Sequence, residues 1–186
     1  SISSNVASDA AGNQNNASNI LELEYDATPP DVTISSTEPD PTNSGSFQAD
    51  IQFTETVSGF TSGDINITNA SVSGLSTTDS TLFVADITPS ADTTITVQVP
   101  TTVAFDSAGN GNNLSNEFSI VYDATKPVAS SFNPGDNSTD VAVNSSLEIV
   151  FDEVVNIGSG NITIKNGIND TNFEEIDVTS LQVEGG

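Results

Sequence analysis

The chain has 186 residues, of which 26 are acidic and only two basic, Lys126 and Lys165; Arg, His and Cys are absent and the formal net charge is −24. This balance excludes a surface for phosphate-backbone contact with nucleic acid, disfavours anionic lipid and favours divalent cations. Without His or Cys no nucleophilic triad of the usual kind can be assembled, no carboxylate pair stands out for glycoside hydrolysis, and no disulfide braces a small fold, so no enzyme is predicted.

In chain order, the first strand signals fall at 32–35 and 47–53. In the second of these Phe47, Ala49, Ile51 and Phe53 alternate with polar residues, which predicts one face in a core and the other in water. Similar short segments occur at 65–68, 82–87, 94–99 and 118–122, separated by clusters of Gly, Pro, Asn and Ser. The scheme restarts with Leu147, Ile149 and Phe151, and continues with Ile162 and Ile164. No stretch has helical periodicity, and the regular alternation argues against disorder despite the high charge. About seven short strands in roughly 95 residues predict an all-β fold, an immunoglobulin-like sandwich with Greek-key connections.

A long block repeats. Val6-Ala-Ser-Asp-Ala-Ala-Gly-Asn-Gln-Asn-Asn-Ala-Ser-Asn19 returns as Val103-Ala-Phe-Asp-Ser-Ala-Gly-Asn-Gly-Asn-Asn-Leu-Ser-Asn116, at the constant offset of 97 that separates Asp9 from Asp106, Tyr25 from Tyr122 and Pro30 from Pro127. A period of one small β-domain predicts tandem modules in an elongated array, with reach and stiffness as the function. The register predicts that residues 1–26 are the C-terminal strands of a truncated domain, 27–123 a complete domain, and 124–186 the N-terminal part of a further one. The parent protein is then longer, and a signal or anchor would lie outside this window. The short linkers, held extended by Pro30 and Pro127, leave little room for independent tumbling.

Three stretches carry a family resemblance: the Asp-x-Ala-Gly-Asn loop (Asp9 to Asn13, Asp106 to Asn110), the Tyr-Asp-Ala-Thr-x-Pro linkers (Tyr25 to Pro30, Tyr122 to Pro127), and Phe53-Thr-Glu-Thr-Val-Ser-Gly-Phe-Thr-Ser-Gly-Asp-Ile65. They resemble the bacterial immunoglobulin-like domains arrayed in large surface adhesins. Pro134-Gly-Asp-Asn-Ser-Thr-Asp-Val141 and Phe151-Asp-Glu-Val-Val155 are similar to the related subfamily of surface-layer proteins. The resemblance implies an extracellular spacer at the bacterial cell surface, with neighbouring repeats of the same chain as partners and junctions stiffened by calcium. It implies neither catalysis nor a particular receptor.

The residues lead to calcium independently. In an immunoglobulin-like topology strand A leaves the linker and strand B returns to it, so Glu55, just after Phe53, reaches the same pole as Asp26. The loop before the last strand, with Asp106 and Asn110, sits there too. Carboxylates gathered this closely repel unless a cation lies between them. Calcium takes six to eight oxygens in loose geometry, whereas magnesium fits such a spread less well. Asp123 and Glu153 repeat the spacing, 30 positions apart against 29 for Asp26 and Glu55, and predict a second junction; Asp9 is the counterpart of Asp106 in the first copy. The candidate metal ligands are therefore Asp26, Glu55, Asp106, Asn110, Asp123, Glu153 and Asp9.

Bland readings stand beside these. The acidity also serves solubility in salty surroundings, Gly12 and Gly109 also suit plain polar turns, and an EF-hand register starting at Asp106 fails because position 3 is Ala108 and strands flank the loop. The alternative function is an adhesive or carbohydrate-binding module. That reading needs an exposed aromatic platform, yet the only aromatics besides Phe are Tyr25 and Tyr122, both beside linkers.

Overall fold

The structure is a computed structural model, and it describes residues 1–165 and 169–180. The chain divides into two compact units, Ser1–Ala124 and Thr125–Gly186. The first contains a sandwich of β1 (Val32–Ser35), β2 (Phe47–Phe53), β3 (Asn66–Thr68), β4 (Ala70–Thr77), β5 (Leu82–Pro89), β6 (Thr93–Gln98) and β7 (Phe118–Tyr122). A four-stranded sheet runs β1-β2-β5-β4 and a three-stranded sheet β3-β6-β7, the strand order of a constant-type immunoglobulin sandwich.

Alternation decides which side chains enter the core. Along β2 the residues Phe47, Ala49, Ile51 and Phe53 are all buried, and the antiparallel register sets Ile51 opposite Phe83, Ala49 opposite Ala85 and Phe47 opposite Ile87 on β5. These cross-strand pairs, with Ile95 and Val97 from the facing sheet, form the apolar layer between the sheets. At one end Phe53, Phe60 and Phe83 pack edge to face, with ring centroids 5.1 to 5.8 Å apart.

The predicted strands at 32–35, 47–53 and 118–122 coincide with β1, β2 and β7, while the others shift by one or two residues at their ends. Ile65 falls outside β3; a 3-10 turn at Ser62–Asp64 precedes it and its side chain is buried. β4 has no counterpart among the predicted strands. A bulge between Val72 and Gly74 breaks the period of two, so Val72 and Leu75 do not read as an alternating pair. A Cβ on Gly74 would lie 2.7 Å from an Asp86 carboxylate oxygen, so any larger residue there makes the Asp86 side chain shift.

Residues 2–19 form a loop that repeats the one at 99–116 bond for bond. In both, the chain closes on itself through a buried or half-buried Asn side chain and a Ser hydroxyl: Ser18 Oγ accepts from the Ile2 N–H, and Ser115 Oγ from the Val99 N–H. Past this loop the two copies diverge. Leu23 is 84% exposed where its counterpart Ile120 is 2% exposed, and residues 20–25 form no strand.

The second unit contains β8 (Ala129–Asn133), β9 (Glu148–Phe151), β10 (Asn161–Lys165) and β11 (Asn172–Asp177). β8 pairs antiparallel with β9, setting Ala129 opposite Phe151 much as Val32 opposes Phe53. β10 pairs with β11, and Lys165 Nζ lies 3.1 Å from Asp170 Oδ1. Leu147 falls just before β9, whereas Ile162 and Ile164 lie on β10. The end of the predicted third domain, 181–186, is outside the described residues.

Candidate metal centre

Three separate segments deliver carboxylates to one place at the pole where the linker enters the sandwich. Asp26 is fixed by an Asx-type turn, its Oδ1 accepting the Thr28 N–H at 2.9 Å just before Pro29 and Pro30. Glu55 lies two residues past Phe53, whose buried ring anchors the end of β2. Asp106 comes from the long loop between β6 and β7. A reciprocal backbone pair joins that loop to the segment after β2, with the Ser58 N–H donating to Phe105 C=O at 2.8 Å and the Phe105 N–H to Ser58 C=O at 3.0 Å. This pair is the local reason that Asp106 and Glu55 meet.

The loop is itself built around two side chains. Asn112, 2% exposed, accepts the Val103 and Ala104 N–H groups on Oδ1 and donates through Nδ2 to the Pro100 and Asn113 carbonyls. Asp106, 5% exposed, accepts the Ala108 and Asn110 N–H groups on Oδ1 and the Asn110 amide on Oδ2. Gly109 closes the turn at φ +89°, a left-handed conformation that suits glycine.

One carboxylate oxygen each from Asp26, Glu55 and Asp106 lies within 4.8 Å of the other two, the one such three-carboxylate group among the described residues. Partial burial first, then the negative charges of Asp106 and Asp26, push the Glu55 carboxyl above its ordinary range. Burial also works to raise Asp106. The hydrogen bonds from the Asn110 side chain and from the Asn110, Ala108 and Gly109 N–H groups outweigh it and hold that carboxyl below the ordinary value. No basic side chain is at hand in this unit, since Ser1–Ala124 contains no Lys, Arg or His.

Such a donor set, carboxylate oxygens from three directions in a part-buried site, is chemically suited to calcium. The fourth candidate, Asn110, turns its amide nitrogen toward the group, donating to Asp106 Oδ2 at 2.8 Å and to the Asp26 carbonyl at 3.2 Å. In this arrangement it ties the linker to the loop as a donor. Asp9 repeats the hydrogen bonding of Asp106, accepting from the Asn13 side chain and from the Asn13 and Ala11 N–H groups, which hold its carboxyl low; it is exposed and belongs to no three-carboxylate group among the described residues. Asp123 comes directly after β7 in the first unit, where its N–H donates to the Thr42 carbonyl, and Glu153 is exposed two residues past β9 in the second.

The reading from sequence missed Asn112 and the Ser58–Phe105 pair. A signal for the first was present, because Asn15 and Asn112 share the repeated block; the second is a backbone pairing and leaves no residue-type signature.

No helix among the described residues is long and apolar enough to cross a membrane. No curated protein and no solved structure matched the chain. Two family models did: one described as Bacterial Ig-like domain matches residues 26–122, and a second of the same description matches 123–185. With its constant-type sandwich and two such domains in tandem, the chain belongs to the bacterial Ig-like domain family.

Proposed function

We propose that the chain is a spacer segment of a large secreted bacterial adhesin, and that calcium held by Asp26, Glu55 and Asp106 stiffens the point where the linker enters the sandwich. Bacterial Ig-like domains usually occur in extracellular surface proteins and are generally non-catalytic structural modules, which supports the setting. One observation carries the calcium reading: three carboxylates from the linker, the end of β2 and the β6–β7 loop converge within 4.8 Å in a unit that has no basic side chain. Their mutual repulsion opposes closure of linker on sandwich, and a divalent cation reverses its sign.

When bound, calcium supplies two positive charges and a loose coordination shell. The protein's own residues do the rest. The Thr28 N–H orients Asp26, Phe53 anchors Glu55, and the Asn110 and Ala108 amides hold Asp106 ionised. With the linker fixed, a force along the array is passed between repeats instead of bending the joint. Neighbouring repeats of the same chain are the partners in this role.

The test is small-angle scattering and thermal melting of the 186-residue chain in calcium and in chelator. A spacer of this kind gains both maximum dimension and melting temperature with calcium. Unchanged values for both would remove calcium from the mechanism.

A further inference from the structure

A sandwich that recurs along one chain faces a hazard. Adjacent copies are held at high effective concentration, and every open sheet edge is a template for the strands of a neighbour. The first-unit sandwich has four edges, β1 and β4 on one sheet and β3 and β7 on the other. β3 is only three residues long and β4 is broken by its bulge at Gly74. The remaining two edges are met by side chains and, on β7, by the backbone of Thr42.

On β1, Ile34 buries its side chain in the core and, like Val32, turns its backbone N–H and C=O to the open edge. Asn116 bonds to it as a neighbouring strand would: the Ile34 N–H donates to Asn116 Oδ1 at 2.8 Å, and Asn116 Nδ2 donates to the Ile34 carbonyl at 3.0 Å. The preceding loop continues the cover, with the Asn113 N–H donating to Pro30 C=O and Asn113 Nδ2 to Asp31 Oδ1. On β7 the outer edge pairs with Thr42, which donates its N–H to Val121 C=O and accepts from the Asp123 N–H. Beyond that single residue the Val121 N–H is taken by the Asp40 carboxylate at 2.9 Å. A carboxylate has no donor to offer an incoming strand.

We propose that Asn116 and Asp40 are edge guards, side chains that occupy the strand-addition position at Ile34 on β1 and at Val121 on β7 and so keep a second copy of this fold from docking there by β-pairing. The placement in the repeat fits this role. Asn116 closes the duplicated block, and Asn19 stands at the same place in the first copy, where its carbonyl accepts the Ser18 hydroxyl as that of Asn116 accepts the Ser115 hydroxyl. An amide is the side chain suited to this task, because it presents one donor and one acceptor in the plane of a peptide group.

The experiment is sedimentation velocity of the whole chain over a wide concentration range, in salt high enough to screen its net charge, with far-UV circular dichroism confirming a folded state. Wild type is expected to sediment as a monomer. Asn116→Ala bares both Ile34 groups, and Asp40→Ala bares the Val121 N–H; each is expected to move from monomer toward dimer as concentration rises. Ser115→Ala, which removes the internal hydrogen bonds to the Val99 N–H and the Asn116 carbonyl but leaves the Asn116 amide on Ile34 and the Asp40 carboxylate on Val121 in place, is expected to stay monomeric. Folded Asn116→Ala and Asp40→Ala proteins that remain monomeric would overturn the proposal, as would equal association by Ser115→Ala, which would trace it to lost stability. Asp40 is exposed and outside the core, so its variant decides the matter should Asn116→Ala not fold.

Discussion

Asn15 and Asn112, 97 residues apart, hold the same set of backbone atoms in two copies of one loop. Asn112 takes the N–H groups of Val103 and Ala104 and the carbonyls of Pro100 and Asn113; Asn15 takes those of Val6 and Ala7, and of Ser3 and Asn16. The first copy keeps this geometry although the residues around it are exposed. The loop is therefore specified locally by its own side chains, and the sandwich receives it as a preformed part that carries Asp106 to the linker.

Asn112→Ala should then cost more than a surface change of the same size. It leaves buried backbone donors and acceptors without partners, each worth about 1–3 kcal/mol, so a loss of at least about 2 kcal/mol is expected. Urea unfolding reads it as a lower midpoint at unchanged slope. A loss within the range of ordinary surface substitutions would show that the loop is held by something else.

Phe53 joins the core to the site. It is 1% exposed, meets Phe60 and Phe83 edge to face, and ends the strand from which Glu55 extends. Phe53→Ala should destabilise the first unit by roughly 3–5 kcal/mol, the usual range for a buried Phe. It should also weaken the response to calcium, because Glu55 loses its anchor. Calorimetric melting with and without calcium checks both effects.

Asp106→Ala removes a central carboxylate and should reduce the rise in melting temperature produced by calcium more than Asp79→Ala does. Asp79 is not silent on its own account, since it accepts the Thr81 and Leu82 N–H groups in the β4–β5 turn. The comparison therefore lies in the increment caused by calcium, not in the melting temperatures themselves. Equal increments would make the Asp106 loop a turn and nothing more.

Acidity supplies an independent check. The Glu55 carboxyl is raised in the folded chain by burial and by Asp106 and Asp26, so it binds its proton more tightly folded than unfolded. Its contribution to stability is complete below the ordinary glutamate value of 4.5 and is lost as pH climbs through the raised one. In chelator, stability should fall across that window. Calcium should abolish the fall and bind less tightly on its acid side, where a proton competes for Glu55. The carboxyls of Asp9 and Asp106, both lowered, act in the opposite sense and lose their contributions only as pH drops below the ordinary aspartate value. A melting curve in chelator that stays flat above the ordinary glutamate value would contradict the electrostatic account of the site.

Much of this architecture was legible in residue order. Phe47, Ala49, Ile51 and Phe53 announce β2 because a half-buried strand must alternate, and the duplicated Asp-x-Ala-Gly-Asn block announces the loop. The topology of a sandwich then brings Asp26, Glu55 and Asp106 toward one pole. β4 stayed hidden because its bulge scrambles the alternation, and β8 and β11 because their exposed, polar residues show too little of it. The direction of the Asn110 amide was also invisible, since a side chain with both a donor and an acceptor is oriented by partners that only the folded chain supplies.

The most direct measurement is a calcium titration monitored by heteronuclear NMR of the backbone amides. Calcium binding at this site is expected to give saturable shifts concentrated at residues 26–28, at Glu55 and at 106–110, with the far end of the sandwich around Gly45 and Ser90 unmoved. Shifts absent from those three segments, or spread evenly over the acidic surface, would contradict it.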